Sequence, residues 1–250
     1  MKNVVKTKSD FRVSMELKHN IEKLSFLSHI SHGIRTPLNS IMGFSKLLVM
    51  KDMASARQKE YIQGILNGSS LLLQFVQNIM DLSQFEADNY STRVLNYDVN
   101  QILWDFTEDF YNNKDENYDT NINLMLVWES KVKDLVIETD SDLVKKALQR
   151  IINLLGVKFP NMDIEMGYRL TGSTSISIYL RPSKVNLNNN RMLSEEQLLT
   201  IDENESFDFF NYKVLLNAVS MLDGELSANY ENQEFILELP MTHMQPNSLI

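Results

Sequence analysis

The chain reads as two domains of different class, an antiparallel α-helical hairpin followed by an α/β sandwich. Two observations carry that reading. From residue 11 to residue 86 the apolar side chains recur three, four and seven positions apart, the period of helices with one buried face. Beyond residue 88, short β-branched and aromatic runs alternate with helical stretches and glycine-marked turns, the pattern of helices packed on a mostly antiparallel sheet. With 250 residues, 43% of them hydrophobic, the chain has enough apolar surface for two cores.

The elements follow in order. A first helix is expected over 11–50, where Leu27, Ile34, Ile41 and Leu48 fall seven apart. Ile30, Leu38 and Phe44 follow the first three by three or four residues, which is the a/d spacing of a helical seam. A second helix is expected over 56–86, with Ile62, Ile65, Leu72, Val76 and Ile79 on one face. The short connection at 51–55 makes the pair an antiparallel hairpin. A lone hairpin leaves its apolar face in water, so two copies are expected to pair into a four-helix bundle as a homodimer.

After residue 88 a short strand is expected at 91–96, then a helix over 99–111 capped by Asp98. Residues 114–120 read as a polar loop, and 121–128 and 135–139 as strands. Asp140 or Ser141 caps a strong helix running through 155. Segments 162–170 and 174–180 form a hairpin around Thr171-Gly172-Ser173, and 183–191 is a polar loop. A helix over 207–222 ends at Asp223-Gly224, which opens a last hairpin, 225–230 with 234–240. The expected domains are therefore 1–88 and 89–250.

Composition excludes several classes of function. The formal net charge of −9 argues against nucleic acid or an anionic membrane surface as partner, since both reward basic patches. No apolar run approaches the roughly 20 residues that span a bilayer, and the N-terminal M-K-N-V-V-K-T-K-S-D lacks the apolar core of a secretory signal. The absence of cysteine rules out disulfides and thiolate metal sites and fits a reducing cytoplasm. The histidines, His19, His29, His32 and His243, are too scattered for zinc, so no metal site is expected.

The most informative stretch is F-L-S-H-I-S-H-G-I-R-T-P-L-N-S-I-M-G-F-S-K-L-L at 26–48. It closely resembles the phospho-acceptor box of sensor histidine kinases, S-H-E-[IL]-R-T-P-L-[NT], with His32 at the acceptor position. With Leu27 taken as position a, His32 falls at f, turned away from the seam. An exposed imidazole keeps a substantial neutral, nucleophilic fraction near neutral pH and can attack phosphorus in line from a rigid helical mount. Thr36, four residues on, shares that face, and Asn39 continues it; Arg35 is suited to balance phosphoryl charge. In the family a threonine at the place of Thr36 positions water for removing phosphate from the partner's aspartate. Pro37 cannot donate to the carbonyl of residue 33, and Gly33 is itself a poor helix former, so a bend is expected directly after His32. His29, on a nearby face, is expected to be an ordinary solvated residue.

Gly33 stands where the family carries an acid that helps the histidine attack ATP. Losing a group that orients or deprotonates the imidazole typically costs 10²–10⁴-fold. Transfer from an acyl phosphate needs less help, because that donor is already activated and the receiver domain brings its own metal.

The resemblance covers about 20–241, is moderate at 139–159 and weak at 215–226. It implies that the second domain is a histidine kinase ATPase-like (GHKL) α/β sandwich, and the residues there depart from the pattern. Magnesium in such domains is held by an asparagine within N-L-L-x-N-A-x-K-F. Aligning Lys158-Phe159 with its end puts Ile151 and Leu155 at the asparagine places and leaves Asn153 two positions out of register. Aliphatic side chains cannot ligate a hard cation. The adenine box D-x-G-x-G is replaced by R-P-S-K-V-N-L, and the second glycine-rich box by S-F-D-F-F at 206–210. Backbone amides approach phosphates only where side chains are absent, so Phe207, Phe209 and Phe210 contradict a phosphate cradle and are expected to close it.

The resemblance and its departures together imply a two-component or phosphorelay signalling protein. In it His32, with Thr36, Arg35 and Asn39, exchanges a phosphoryl group with an aspartate of a response-regulator receiver domain. Neither ATP nor magnesium is expected to bind productively, and no cofactor is expected, the receiver supplying its own magnesium. The expected partners are a second copy and the receiver domain, with no nucleic acid and no membrane contact, in the cytoplasm. Three alternatives remain: Thr36-assisted dephosphorylation of the receiver, a non-catalytic scaffold that sequesters a regulator, and a divergent ATP-dependent kinase.

Overall fold

The computed structural model describes residues 8–49, 54–86, 90–112, 122–128, 135–159, 161–172, 174–183 and 206–241. They fall into two compact units, Met1–Leu72 with Glu203–Phe207, and Leu73–Asp202 with Asp208–Ile250.

The first unit holds helix α1 (Lys8–Leu48) and the first half of helix α2 (Ser55–Glu86). The expected helices are both there, within three residues at each end that can be compared. α1 continues as one hydrogen-bonded element through Gly33 and Pro37, so the expected bend does not break it. Two glycines let the helices approach closely. A Cβ on Gly64 would lie 2.3 Å from the Phe44 ring, and one on Gly68 would lie 3.1 Å from the Pro37 carbonyl oxygen. Pro37 is buried there, and Phe44 also stacks at a tilt on Tyr61, ring centres 5.8 Å apart. This contact uses Ile41 and Phe44 of the expected seam and leaves other apolar side chains in solvent: Leu27, Ile34, Leu38 and Met42 on α1, Ile62 and Leu66 on α2.

The second unit is the α/β sandwich. Strand β1 (Leu95–Asp98) pairs antiparallel with β3 (Val136–Thr139) as a separate two-stranded sheet. The main sheet has the order β2-β4-β5-β7-β6, from β2 (Leu124–Val127), β4 (Ile164–Thr171), β5 (Ser175–Pro182), β6 (Glu225–Asn229) and β7 (Glu234–Pro240). Only β2 and β4 run parallel; the remaining pairs are antiparallel hairpins or neighbours. The strand expected at 91–96 begins instead at Leu95, because pairing with 136–139 and not local alternation sets its register.

Helix α3 (Val99–Asn112) starts at Asp98, whose Oδ1 accepts from the Asn100 N–H at 2.8 Å. Helix α4 (Ser141–Lys158) is capped by Asp140, one oxygen accepting from Asp142 and Leu143 and the other from the Arg93 N–H at 2.7 Å. That carboxylate thereby fixes the chain entering β1 as well as the helix. Helix α5 (Ser206–Met221) closes with the Gly224 N–H on the Val219 carbonyl, Asp223 taking the left-handed φ of 50°. The strands alternate as a one-sided sheet must. Ile164, Met166 and Tyr168, Ile176, Ile178 and Leu180, and Phe235, Leu237 and Leu239 are buried with the apolar faces of α3, α4 and α5. The other face carries Arg169 and Arg181 stacked over Tyr179 and paired with Glu234 and Glu165. The expected polar loops at 114–120 and 183–191 lie wholly or, from residue 184, outside the described residues.

Candidate functional site

α1 presents His32, Arg35, Thr36 and Asn39 to solvent, all four exposed, at helical spacings of three, four and seven. His32 therefore sits on the accessible side of the first unit, while Pro37 and Ile41 face α2. His29, expected to be solvated, is half-buried. One partner of His32 had no sequence signal. Ser206, 174 residues away, places its Oγ 3.3 Å from His32 Nδ1, long for a hydrogen bond between oxygen and nitrogen. Ser206 itself is 2% exposed and belongs to the same compact unit as the hairpin.

The second unit holds a buried polar cluster where the last turns of α2 meet α4. Asp81, 1% exposed, accepts from Lys146 Nζ at 2.9 Å and from Arg150 Nη2 at 2.7 Å. Burial lowers the pKa of Arg150, and the carboxylate of Asp81 opposes that shift. Asn153 donates to Asn211 at 3.2 Å and accepts from Gln149 at 3.0 Å, and Asn211 donates to the Arg150 carbonyl at 3.0 Å. Phe75 of α2 packs edge-on against Phe210, which packs edge-on against Phe209. Lys146 also lies over the rings of Phe85 and Tyr90, 5.6 Å from each centre. Tyr90 has its pKa pushed up to about 12, first by burial and then by Asp140, Asp142 and Asp81.

These positions refine the reading of α4. Ile151 and Leu155 are fully buried in the core. The polar residues beside them are Arg150, itself buried, and the half-buried Lys146, Gln149 and Asn153. A guanidinium has no lone pair to offer a cation, and the Asn153 side chain is turned to Gln149 and Asn211. Of the aromatic residues in the 206–210 segment, Phe210 is wholly buried, and Phe207 and Phe209 are partly so. Among the described residues no three His, Cys, Asp or Glu side chains converge as a metal site, and no helix is long and apolar enough to cross a membrane.

Residues 22–88 match the family model of the His Kinase A (phospho-acceptor) domain. The chain is similar to the signal transduction histidine-protein kinase BarA of Escherichia coli strain K12, 29% identical over 162 residues, 62% of this chain and 17% of BarA. The circadian input-output histidine kinase CikA of Synechococcus elongatus is 31% identical over 144 residues, 56% of this chain and 18% of CikA. The chain thus spans less than a fifth of the length of these relatives. Its fold is that of the Acinetobacter baumannii histidine kinase AdeS, with a TM-score of 0.52 over 85% of this chain and 98% of that one, at 12% identity. Residues 22–88 thus match the His Kinase A phospho-acceptor domain, the chain as a whole has the fold of a histidine kinase core, and in both respects it matches the sensor histidine kinases.

Proposed function

We propose that this chain is a dimeric cytoplasmic phosphotransfer protein of two-component signalling, a pseudokinase whose His32 exchanges a phosphoryl group with a receiver-domain aspartate without using ATP. The observation that carries the reading is an exposed His32, with Thr36 and Asn39 on its face, in a chain whose kinase-like domain has spent its polar helix face internally. In the transfer, His32 attacks the phosphorus of the aspartyl phosphate, a P–N bond forms, and the P–O bond to the carboxylate breaks. Arg35, exposed three residues on, offers its charge to the transferring phosphoryl group. Thr36 is placed to hold water for the competing hydrolysis, and the absence of an acid at Gly33 disfavours that branch.

ATP with magnesium, the group this fold family implies, does not fit the residues present. Ile151 and Leu155 are core, Arg150 is held by Asp81, Asn153 is turned to Gln149 and Asn211, and Phe210 fills space a phosphate cradle would need empty. No step is therefore routed through the nucleotide. The apolar side chains left in solvent on α1 and α2 support pairing of two hairpins into a four-helix bundle.

Incubation with a phosphorylated receiver domain is the test. Label at residue 32 that His32→Gln abolishes is the expected result. A complex with the receiver that leaves His32 unlabelled would replace phosphotransfer with a scaffold that sequesters the regulator.

A further inference from the structure

Gly33 leaves the His32 imidazole without a neighbouring acid, yet Nδ1 is not left to solvent. We propose that Ser206 is the positioning residue for His32, accepting a hydrogen bond from Nδ1–H and so presenting an unprotonated Nε2 as the attacking atom; this rests on the phosphotransfer reading above. Three features of the structure support it. The Oγ of Ser206 lies 3.3 Å from Nδ1, and the serine is 2% exposed while the ring is exposed, so the ring's other nitrogen is the one in water. Ser206 belongs to the same compact unit as the hairpin, so the contact lies within one unit. Finally, the residue that follows the histidine, where the phospho-acceptor box carries an acid, is glycine and offers no side chain.

The chemistry distinguishes the two possible polarities of the bond. If the serine O–H donated to Nδ1, the neutral ring would carry its proton on Nε2, and neither nitrogen would offer a free lone pair. With Nδ1–H donating to Oγ, the Nε2 lone pair attacks phosphorus, the P–N bond forms, and the aspartate carboxylate leaves with the P–O electron pair. The proton stays on Nδ1 throughout, and the positive charge that develops on the ring strengthens its bond to Ser206. A neutral hydroxyl orients the ring but does not deprotonate it, so it serves acyl-phosphate transfer better than attack on ATP.

The test measures the tautomer directly, in the full-length chain with nitrogen-15 histidine, the His32 signal identified by its loss in His32→Gln. The expected result is a neutral His32 with its proton on Nδ1, whereas an unrestrained histidine in water favours Nε2–H. Ser206→Ala should return His32 to the free ratio and slow phosphoryl uptake from a phosphorylated receiver roughly tenfold, the scale of one net hydrogen bond in a transition state. Ser206→Thr, which keeps the hydroxyl, should restore both. An Nε2–H tautomer in the unaltered chain, or the same tautomer and uptake rate in Ser206→Ala, would overturn the assignment. An Nδ1–H tautomer lost in Ser206→Ala but without any uptake at His32 would uphold the Ser206 assignment and sink the phosphotransfer function instead.

Discussion

Asp81 is a buried charge that holds two cations. Its carboxylate is the only described acceptor for two cations, one of them the buried Arg150, whose Nε has no partner among the described residues. Removing one member of a buried pair leaves the other charged and desolvated, which costs about 3–5 kcal/mol. Asp81→Ala is therefore expected to destabilise the second unit by that amount, read from chemical denaturation, while Asp81→Asn recovers part of it. Tyr90 gives a pH signature of the same region. Its pKa is raised from 10.0 to about 12, so its contribution to stability is complete below pH 10 and is lost as the pH climbs through 12. Unfolding followed across that window should show a decline that is reduced in Tyr90→Phe, and an equal decline in both proteins would contradict the assignment. His32, Arg35, Thr36 and Asn39 were legible in the sequence because one motif and one helical period place them. Ser206 and Asp81 were not, because nothing local marks a serine that meets a histidine 174 positions away, or an aspartate whose cations sit 65 and 69 residues on.

At the scale of elements, the helices were legible wherever a periodic apolar face or a capping side chain marked them. α2, α3 and α5 begin within a residue of expectation, and Asp98 and Asp140 cap as anticipated. The strands were less so: β1 is displaced, and the split into a two-stranded and a five-stranded sheet is set by long-range pairing that a local pattern does not encode. The register of α4 taught a related lesson. Lys158-Phe159 as an anchor points to Ile151 and Leu155, and packing turns those residues into the core, while the neighbouring Arg150 is buried against Asp81 and Asn153 is half-buried beside Asn211.

Across the whole molecule, α2 is shared. Its residues up to Leu72 belong with α1, and those from Leu73 onward are built into the sandwich through Phe75, Asp81 and Phe85. The hairpin leaves Ile34 and Leu38 38% and 42% exposed. Burying such a stripe against a second copy supports the bundle. Replacing Ile34 and Leu38 together by lysine is expected to convert a dimer to a monomer in sedimentation equilibrium with the sandwich still folded. A monomeric unaltered chain would remove the dimer from the account.

The central claim, that His32 takes phosphate from an aspartyl phosphate and not from ATP, is met most directly by offering the full-length chain the two donors in parallel. One reaction contains magnesium and γ-labelled ATP, the other a labelled receiver domain freed of nucleotide, and phosphohistidine at residue 32 is mapped in each. Label from the receiver alone is the result expected, whereas phosphohistidine formed from ATP would contradict the account.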